Sequence, residues 1–373
     1  MGEKSSKNLQ DRQTDRQTDR QTDRQTDRQT DRRVLGLDLF RVFLAGLILA
    51  FHSTGHFGCS YGAIDGFVNM GAMAMTGFFL LSGYSNYYAY SAWDFSDIRA
   101  IQRFYLKRLT GIVPVYYFGA LMYIIIWGKE SLSQNLLLAP IELLGIQNVF
   151  YGTFRLTHNG GTWFISCILI CYFAFPYLSG IVGQLSAKRN TLFIGMLTMI
   201  LLYAPFAVHF FALGSIYDNP FMRGFEFTIG IALASLKEEC GRFGMLAKPI
   251  ALALELLILI AGVEVAWRLG IARGNYMLYS WIGLPVFMCM TITAAGMEMK
   301  ANKAISYLSA ISYSFFIVQL FNWPIMRKIV GWIGIDGNMF RIASSFTVSL
   351  LLAVGIHELI EKPSKKLFGR LIE

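Results

Sequence analysis

Residues 34–52 read VLGLDLFRVFLAGLILAFH, nineteen residues in which Asp38, Arg41 and His52 are the only ionisable side chains. A stretch this apolar, close to the roughly 20 residues that cross a bilayer core, reads as a membrane span. At about 100° per residue, Arg41 and His52 fall within about 20° of one another on a helix, and Asp38 about 40° off the same line. One face therefore carries three ionisable groups among apolar neighbours. Such groups are costly inside a span, so each is a functional candidate by default. By rise His52 lies about 27 Å from Val34, towards the far end of the helix, whereas Arg41 sits near its start.

The rest of the chain is built the same way. Its 373 residues are 54% hydrophobic and 15% charged, against about 45–50% and about 25% in a soluble domain. A cytosolic enzyme, a coiled coil and a disordered scaffold are excluded. The expectation is an all-α, polytopic membrane helix bundle of about ten transmembrane helices, placed near 34–52, 67–90, 109–127, 161–182, 191–213, 221–236, 249–267, 277–296, 304–326 and 340–360. The stretch 134–151 reads as an interfacial or re-entrant segment. Counted with the N-terminus inside, 24 of the Lys and Arg residues fall in cytoplasmic segments and 6 in outer ones. That bias puts both the N- and C-termini in the cytoplasm; the membrane expected is the inner (plasma) membrane. The formal charge of +9 belongs to these loops and predicts no nucleic-acid partner.

Before the first span, Gln13-Thr14-Asp15-Arg16 recurs in register five times, ending at Arg32. Residues 1–33 form a polar repeat tail that has nothing to bury and is expected to be disordered, with no assigned role. A transmembrane domain follows over 34–363, then a short basic cytoplasmic tail over 364–373. The five cysteines show no CxxC pair, so no disulfide framework is implied. His158, His209 and His357 lack metal-ligand spacing, and no metal is expected. His56 falls in the expected mouth loop after the first span.

Further polar residues stand out along the chain. Arg103, Lys107 and Arg108 lead into Gly111-Ile112-Val113-Pro114-Val115-Tyr116. Cations at a cytoplasmic membrane mouth suit an anionic ligand such as a nucleotide or pyrophosphate. They also satisfy the positive-inside bias and lipid headgroups. Arg223 and Glu226, three apart in the sixth span, can pair. Glu255 and Glu264 in the seventh show no cation close by. No nucleophile elbow, phosphate loop or dinucleotide fingerprint is present.

Taken in order, these segments resemble the membrane-bound acyltransferase 3 family, which includes bacterial O-acetyltransferases of surface polysaccharides. Leu37-Asp38-Leu39-Phe40-Arg41 with His52 resembles its first-span signature. Phe78-Phe79-Leu80-Leu81-Ser82-Gly83-Tyr84 resembles its second-span element. Phe104 through Pro114 resembles its basic segment, and Trp163-Phe164 with Tyr172 and Pro176 a later span. Arg223 through Gly230, Ile311-Ser312-Tyr313-Ser314-Phe315-Phe316 and Glu361-Lys362-Pro363 complete the run. Three places depart from the pattern. Gly111 follows Arg108 where arginines three apart are often found. Gln319 stands where a His commonly occurs, and Phe164-Ile165-Ser166-Cys167-Ile168 replaces a Ser-Leu-Ser-x-Glu.

The resemblance implies an acyltransferase that moves an acetyl group from cytoplasmic acetyl-CoA to a hydroxyl near the outer face. The acceptor is expected to be an envelope glycan or a lipid-linked precursor. His52 would act as general base, with Arg41 and Asp38 completing the catalytic set. Transient acetylation of His52 is an equal alternative. Arg103, Lys107, Arg108, Tyr116 and Trp163 would bind the donor, and Arg223, Glu226 and Gln319 would support the site inside the membrane. No cofactor is expected beyond acetyl-CoA as substrate. The partners expected are that donor, the glycan or lipid-linked acceptor and membrane lipids; the oligomeric state is not legible. Two rival readings remain: a transporter or flippase for a glycan or lipid, and a receptor-like relative that binds the donor without turnover.

Overall fold

The computed structural model describes residues 34–128, 131–149, 161–211, 216–240, 248–271, 279–297, 300 and 302–369. The repeat tail, Lys129, Arg155, His158 and the last four residues lie outside them. The described chain is helical, with no strand.

The first span is α1, Leu35–Phe57, about 34 Å long by rise. It stops at Gly58, whose φ of 67° lets its own N–H turn back to the Thr54 carbonyl and the Cys59 N–H to that of Ser53. His56, expected in a loop, therefore sits in the last turn of α1. A short helix α2 (Asp65–Asn69) and α3 (Ala74–Tyr90) follow, with a 46° bend within the second span. Next come α4 (Ile98–Trp127), α5 (Leu132–Leu143), α6 (Trp163–Gly183), α7 (Ala187–Phe211), α8 (Pro220–Cys240) and α9 (Lys248–Arg268). A π-helical turn, Tyr279–Gly283, leads into α10 (Leu284–Ala295). Beyond it lie α11 (Lys303–Val318), α12 (Asn322–Ile333) and α13 (Asn338–Ile356). A second π-helical turn, His357–Glu361, joins α13 to the short C-terminal α14 (Lys362–Gly369).

Among the described residues, six helices are long and apolar enough to cross a membrane, or eight if each of two bent pairs is one span. The expected count of ten is thus not confirmed, and three of the expected spans show why. Helix α8, the expected 221–236 span, carries Arg223, Glu226 and Lys237 and is enclosed by protein, with Phe227, Ile229, Ile231 and Ala232 fully buried. A helix surrounded by other helices needs no lipid-like composition. The expected 277–296 span is a shorter apolar helix, Tyr279–Ala295. The expected 304–326 span breaks between α11 and α12, which meet at 86°. Helix α5 covers only 12 residues, about 18 Å, too short to span.

The basic segment also differs from the loop expected over 91–108. Helix α4 begins at Ile98, where the Asp97 side chain accepts from the Arg99 backbone N–H, so Arg103, Lys107 and Arg108 are helical.

Small residues bring the central helices together. A Cβ on Gly83 of α3 would lie 1.9 Å from the Phe227 carbonyl oxygen, and one on Gly230 of α8 would lie 2.1 Å from that of Leu80. Reciprocal glycines let these two backbones touch, as expected where no hydrophobic force drives helices together in lipid. Outward faces carry Leu121, Ile125, Met199, Leu257 and Ile258, all more than one-third exposed, which suits a bundle set in hydrocarbon.

Candidate functional site

Helix α11 answers the polar face of α1 residue by residue. Near one end, Ser309 Oγ donates to Asp38 Oδ1 at 2.6 Å and Ser306 Oγ donates to Asp38 Oδ2 at 3.2 Å. Arg41 Nη1 donates to the same Ser309 hydroxyl at 3.2 Å, and stands 4.0 Å from Asp38 Oδ1. Ser309 thus links the carboxylate to the guanidinium more closely than the two approach each other. Farther along both helices, His52 Nδ1 lies 2.8 Å from Gln319 Oε1. The pairs advance in the same direction on each helix, so α1 and α11 run parallel. The axial gap from Arg41 to His52 is about 16 Å by rise.

A cavity of about 370 Å³ opens beside the Arg41 end of this pair, within the ~300–1,000 Å³ range of ligand sites. Four cations line it, Arg41, Lys107, Arg108 and Lys365, with the carboxylate of Glu361. Its apolar wall includes Phe78, Phe164, Tyr172 and Phe316. The Phe164 and Phe316 ring centroids are 5.3 Å apart. Phe316 precedes Gln319 by three residues, about 4.5 Å of helix rise, so the wall ends within a turn of the His52 partner.

Arg108 is held by aromatic faces. Its guanidinium carbon lies 4.8 Å from the Tyr90 ring centroid, 5.4 Å from that of Tyr172 and 5.7 Å from that of Phe104. Cation–π attraction fixes the plane without consuming its N–H donors. Arg108 Nε is buried with no hydrogen-bond partner among the described residues, and the Arg108 side chain lines the cavity, where a guanidinium suits an anion. Lys107 Nζ sits 5.3 Å over Trp93.

Deep in the bundle, Arg223 is 1% exposed and Glu226 5%. Arg223 Nη1 reaches Glu226 Oε2 at 2.8 Å, its Nε donates to the Tyr217 carbonyl at 2.7 Å, and Thr76 Oγ1 donates to Glu226 Oε1 at 2.8 Å. The guanidinium also faces the Tyr217, Trp163 and Phe79 rings at 4.9, 5.3 and 5.6 Å. This is the expected pair, tied into three helices and outside the cavity. Two glutamates of α9 are also partnered. Glu255 accepts from Thr293 Oγ1 at 2.7 Å. Glu264, read from sequence as lacking a cation, has Arg268 Nε one turn on at 3.6 Å and also accepts from the Phe67 N–H.

Of the donor-binding residues expected from sequence, Lys107 and Arg108 line the cavity, joined there by Arg41. Arg103 does not line it. Tyr116 is buried, with its hydroxyl donating to the Glu142 carbonyl at 2.9 Å, and Trp163 packs with Phe79 and Arg223. His52 and Gln319 also stand outside the lining, paired with each other.

Several participants were not singled out from the sequence. Ser306, Ser309 and Lys365 carried no signal beyond helical register or loop charge. Glu361 was noted only as part of a motif; its Oε2 accepts from Ser314 Oγ at 2.8 Å and lies 2.8 Å from His357 Nδ1, while its Oε1 accepts from Lys365 Nζ at 2.6 Å. The π-helical turn that holds His357 and Glu361 is a geometry often found at functional sites. Among the described residues, no group of three or more His, Cys, Asp or Glu is placed to hold a metal ion.

Comparison with known proteins adds one finding. A family model described as an acyltransferase domain matches residues 34–358. Neither the curated proteins nor the solved structures contain a match to this chain.

Proposed function

The chain belongs to the acyltransferase 3 family and is a multi-pass membrane acyltransferase, and from that premise we propose that it transfers an acetyl group from acetyl-CoA to a hydroxyl of a cell-envelope glycan or lipid-linked precursor. In this reading the protein sits in the inner membrane with both termini in the cytoplasm, so that the cation-lined cavity takes the donor from the cytoplasm. His52 lies towards the opposite face and receives the acceptor.

The observation that carries this reading is the division of labour along one helix pair. The α1–α11 contact holds Arg41 beside the cavity at one end and His52 against Gln319 at the other. Phosphates of the donor suit Arg41, Lys107 and Arg108, which offer fixed charge-assisted donors. An extended thioester arm would pass along the wall formed by Phe78, Phe164 and Phe316 towards His52.

Gln319 gives His52 the protonation pattern a base needs. The Gln319 amide nitrogen donates to the Phe315 carbonyl at 3.0 Å, which orients the amide oxygen to His52. That oxygen can only accept, so Nδ1 carries the proton and Nε2 of a neutral ring keeps its lone pair. As the acceptor hydroxyl attacks the thioester carbonyl, Nε2 takes its proton. The C–S bond then breaks, and the departing thiolate of CoA is protonated by the imidazolium, which restores the base.

The family assignment gives the transporter reading no support. The test is release of free CoA thiol by purified protein in lipid nanodiscs, supplied with acetyl-CoA and an envelope glycan fraction. Release that depends on the acceptor and is lost in His52→Ala supports the proposal. Binding of acetyl-CoA without release under any acceptor contradicts it.

A further inference from the structure

We propose that Lys365, from the C-terminal helix α14, binds phosphate groups of the acyl donor, held in place by Glu361 and admitted to the cavity by the missing side chain of Gly111. This rests on the donor reading above and extends it to a residue remote in sequence from the basic segment of α4.

The placement follows from three contacts. Lys365 Nζ donates to Glu361 Oε1 at 2.6 Å, and Lys365 lines the same cavity as Arg41, Lys107 and Arg108. Glu361 is 2% exposed, and its other oxygen is occupied by Ser314 and His357. The carboxylate is therefore fixed, and fixes the lysine. The Lys365 side chain is itself 49% exposed, so it stands at the open edge of the cavity while its ammonium contacts Glu361. An ammonium has three donors and Glu361 takes one, which leaves donors for an anion.

Gly111 explains how the lysine gets there. On α4, Gly111 lies one turn beyond Lys107, on the same side of the helix. A Cβ at 111 would lie 3.7 Å from Lys365 Cε, so the lysine stem lies where a longer side chain of α4 would run. The row of cations that α4 begins with Lys107 and Arg108 is thus continued by α14. Four cations against Glu361 and the Asp38 beside Arg41 still leave an excess of positive charge suited to a ligand with several phosphates.

The test is titration of coenzyme A into the purified full-length chain in phosphatidylcholine nanodiscs, where no anionic lipid headgroup competes. Lys365→Ala is compared with Lys365→Arg, Lys107→Ala and the double variant Gly111→Lys/Lys365→Ala, each checked for an unchanged melting temperature. Lys365→Ala should weaken binding about tenfold or more, the loss of one charge-assisted contact. Lys365→Arg should bind like wild type, and Gly111→Lys should recover much of the loss by returning a cation from α4. If Lys107→Ala weakens binding and Lys365→Ala does not, the role of Lys365 is overturned and the donor reading stands. If Lys365→Ala weakens binding but neither Lys365→Arg nor Gly111→Lys restores it, the lysine acts through packing and the inference fails. Should wild type itself not bind coenzyme A, the donor reading falls and this inference with it.

Discussion

Gln319 Oε1 lies 2.8 Å from His52 Nδ1, and the nitrogen of the same amide donates to the Phe315 carbonyl. A backbone carbonyl can only accept, so it decides which way the amide points, and the amide in turn decides which imidazole nitrogen is protonated. Three groups on two helices thereby leave Nε2 of the neutral ring as the basic atom. The partner is a neutral amide where catalytic histidines frequently have a carboxylate, so it orients the ring without favouring its charged form.

Three substitutions separate these roles. His52→Ala should lower the transfer rate by about 10²–10⁴, the usual contribution of a positioned base. Gln319→Met, close in size but without the amide, should lower kcat by less and leave the KM for acetyl-CoA unchanged. Gln319→Glu should retain the ring orientation but favour imidazolium, so that activity requires a more alkaline pH than in wild type. A pH–rate profile of the three variants checks this; an unshifted profile in Gln319→Glu would count against proton transfer at His52.

At the other end of the helix pair, Arg41→Ala should act on the donor. Loss of one charge-assisted contact is worth about 1.5–3 kcal/mol, or roughly 10–150-fold in apparent donor affinity. The KM for acetyl-CoA should rise while acceptor KM stays constant. Equal effects on both substrates would place Arg41 elsewhere in the reaction.

Arg223 and Glu226 are expected to matter for stability. Removing one partner of a buried ion pair costs about 3–5 kcal/mol, because the other charge is left uncompensated. Arg223→Ala or Glu226→Ala should therefore melt well below wild type in detergent. The double variant Arg223→Met/Glu226→Met should recover part of the loss. If the double variant is no better than the singles, the aromatic faces around Arg223 hold more of the energy than the pair does.

The α3–α8 contact tolerates no side chain at its centre. Gly83→Ala would press a methyl group into the Phe227 carbonyl, and the backbones would have to separate at a cost of about 1–3 kcal/mol or more. Gly46→Ala, where nothing lies within 4 Å, is the control. Melting temperatures of the two variants should differ clearly, with Gly83→Ala the lower.

These relationships were unequally legible in the sequence. The face of α1 that carries Asp38, Arg41 and His52 follows from helical period alone, and the Arg223–Glu226 pair from spacing and burial. Their partners on α11 could not be read, since Ser306, Ser309 and Gln319 are more than 260 residues away and polar residues in a span look alike until helices are packed. Gln319 was visible only as a departure from a resembling pattern. The start of α4 was missed because charge in 91–108 suggested a loop, although Asp97 is an ordinary capping residue. The bend after Val318 was marked only by Gln319, Asn322 and Pro324 within a stretch apolar enough to read as one span, and Lys365 lay in a basic tail whose charge was already explained by topology. In each case hydropathy reported what lipid or water requires, and was silent on what one helix requires of another.

The central claim, that this is an O-acetyltransferase working through His52, is tested most directly by measuring base-labile O-acetyl groups on envelope glycans. The cells compared make wild type or His52→Ala at equal membrane abundance, beside cells lacking both. The account predicts O-acetyl content above background with wild type and at background with His52→Ala. Equal content above background with both proteins would contradict it, because the transfer would then proceed without the base.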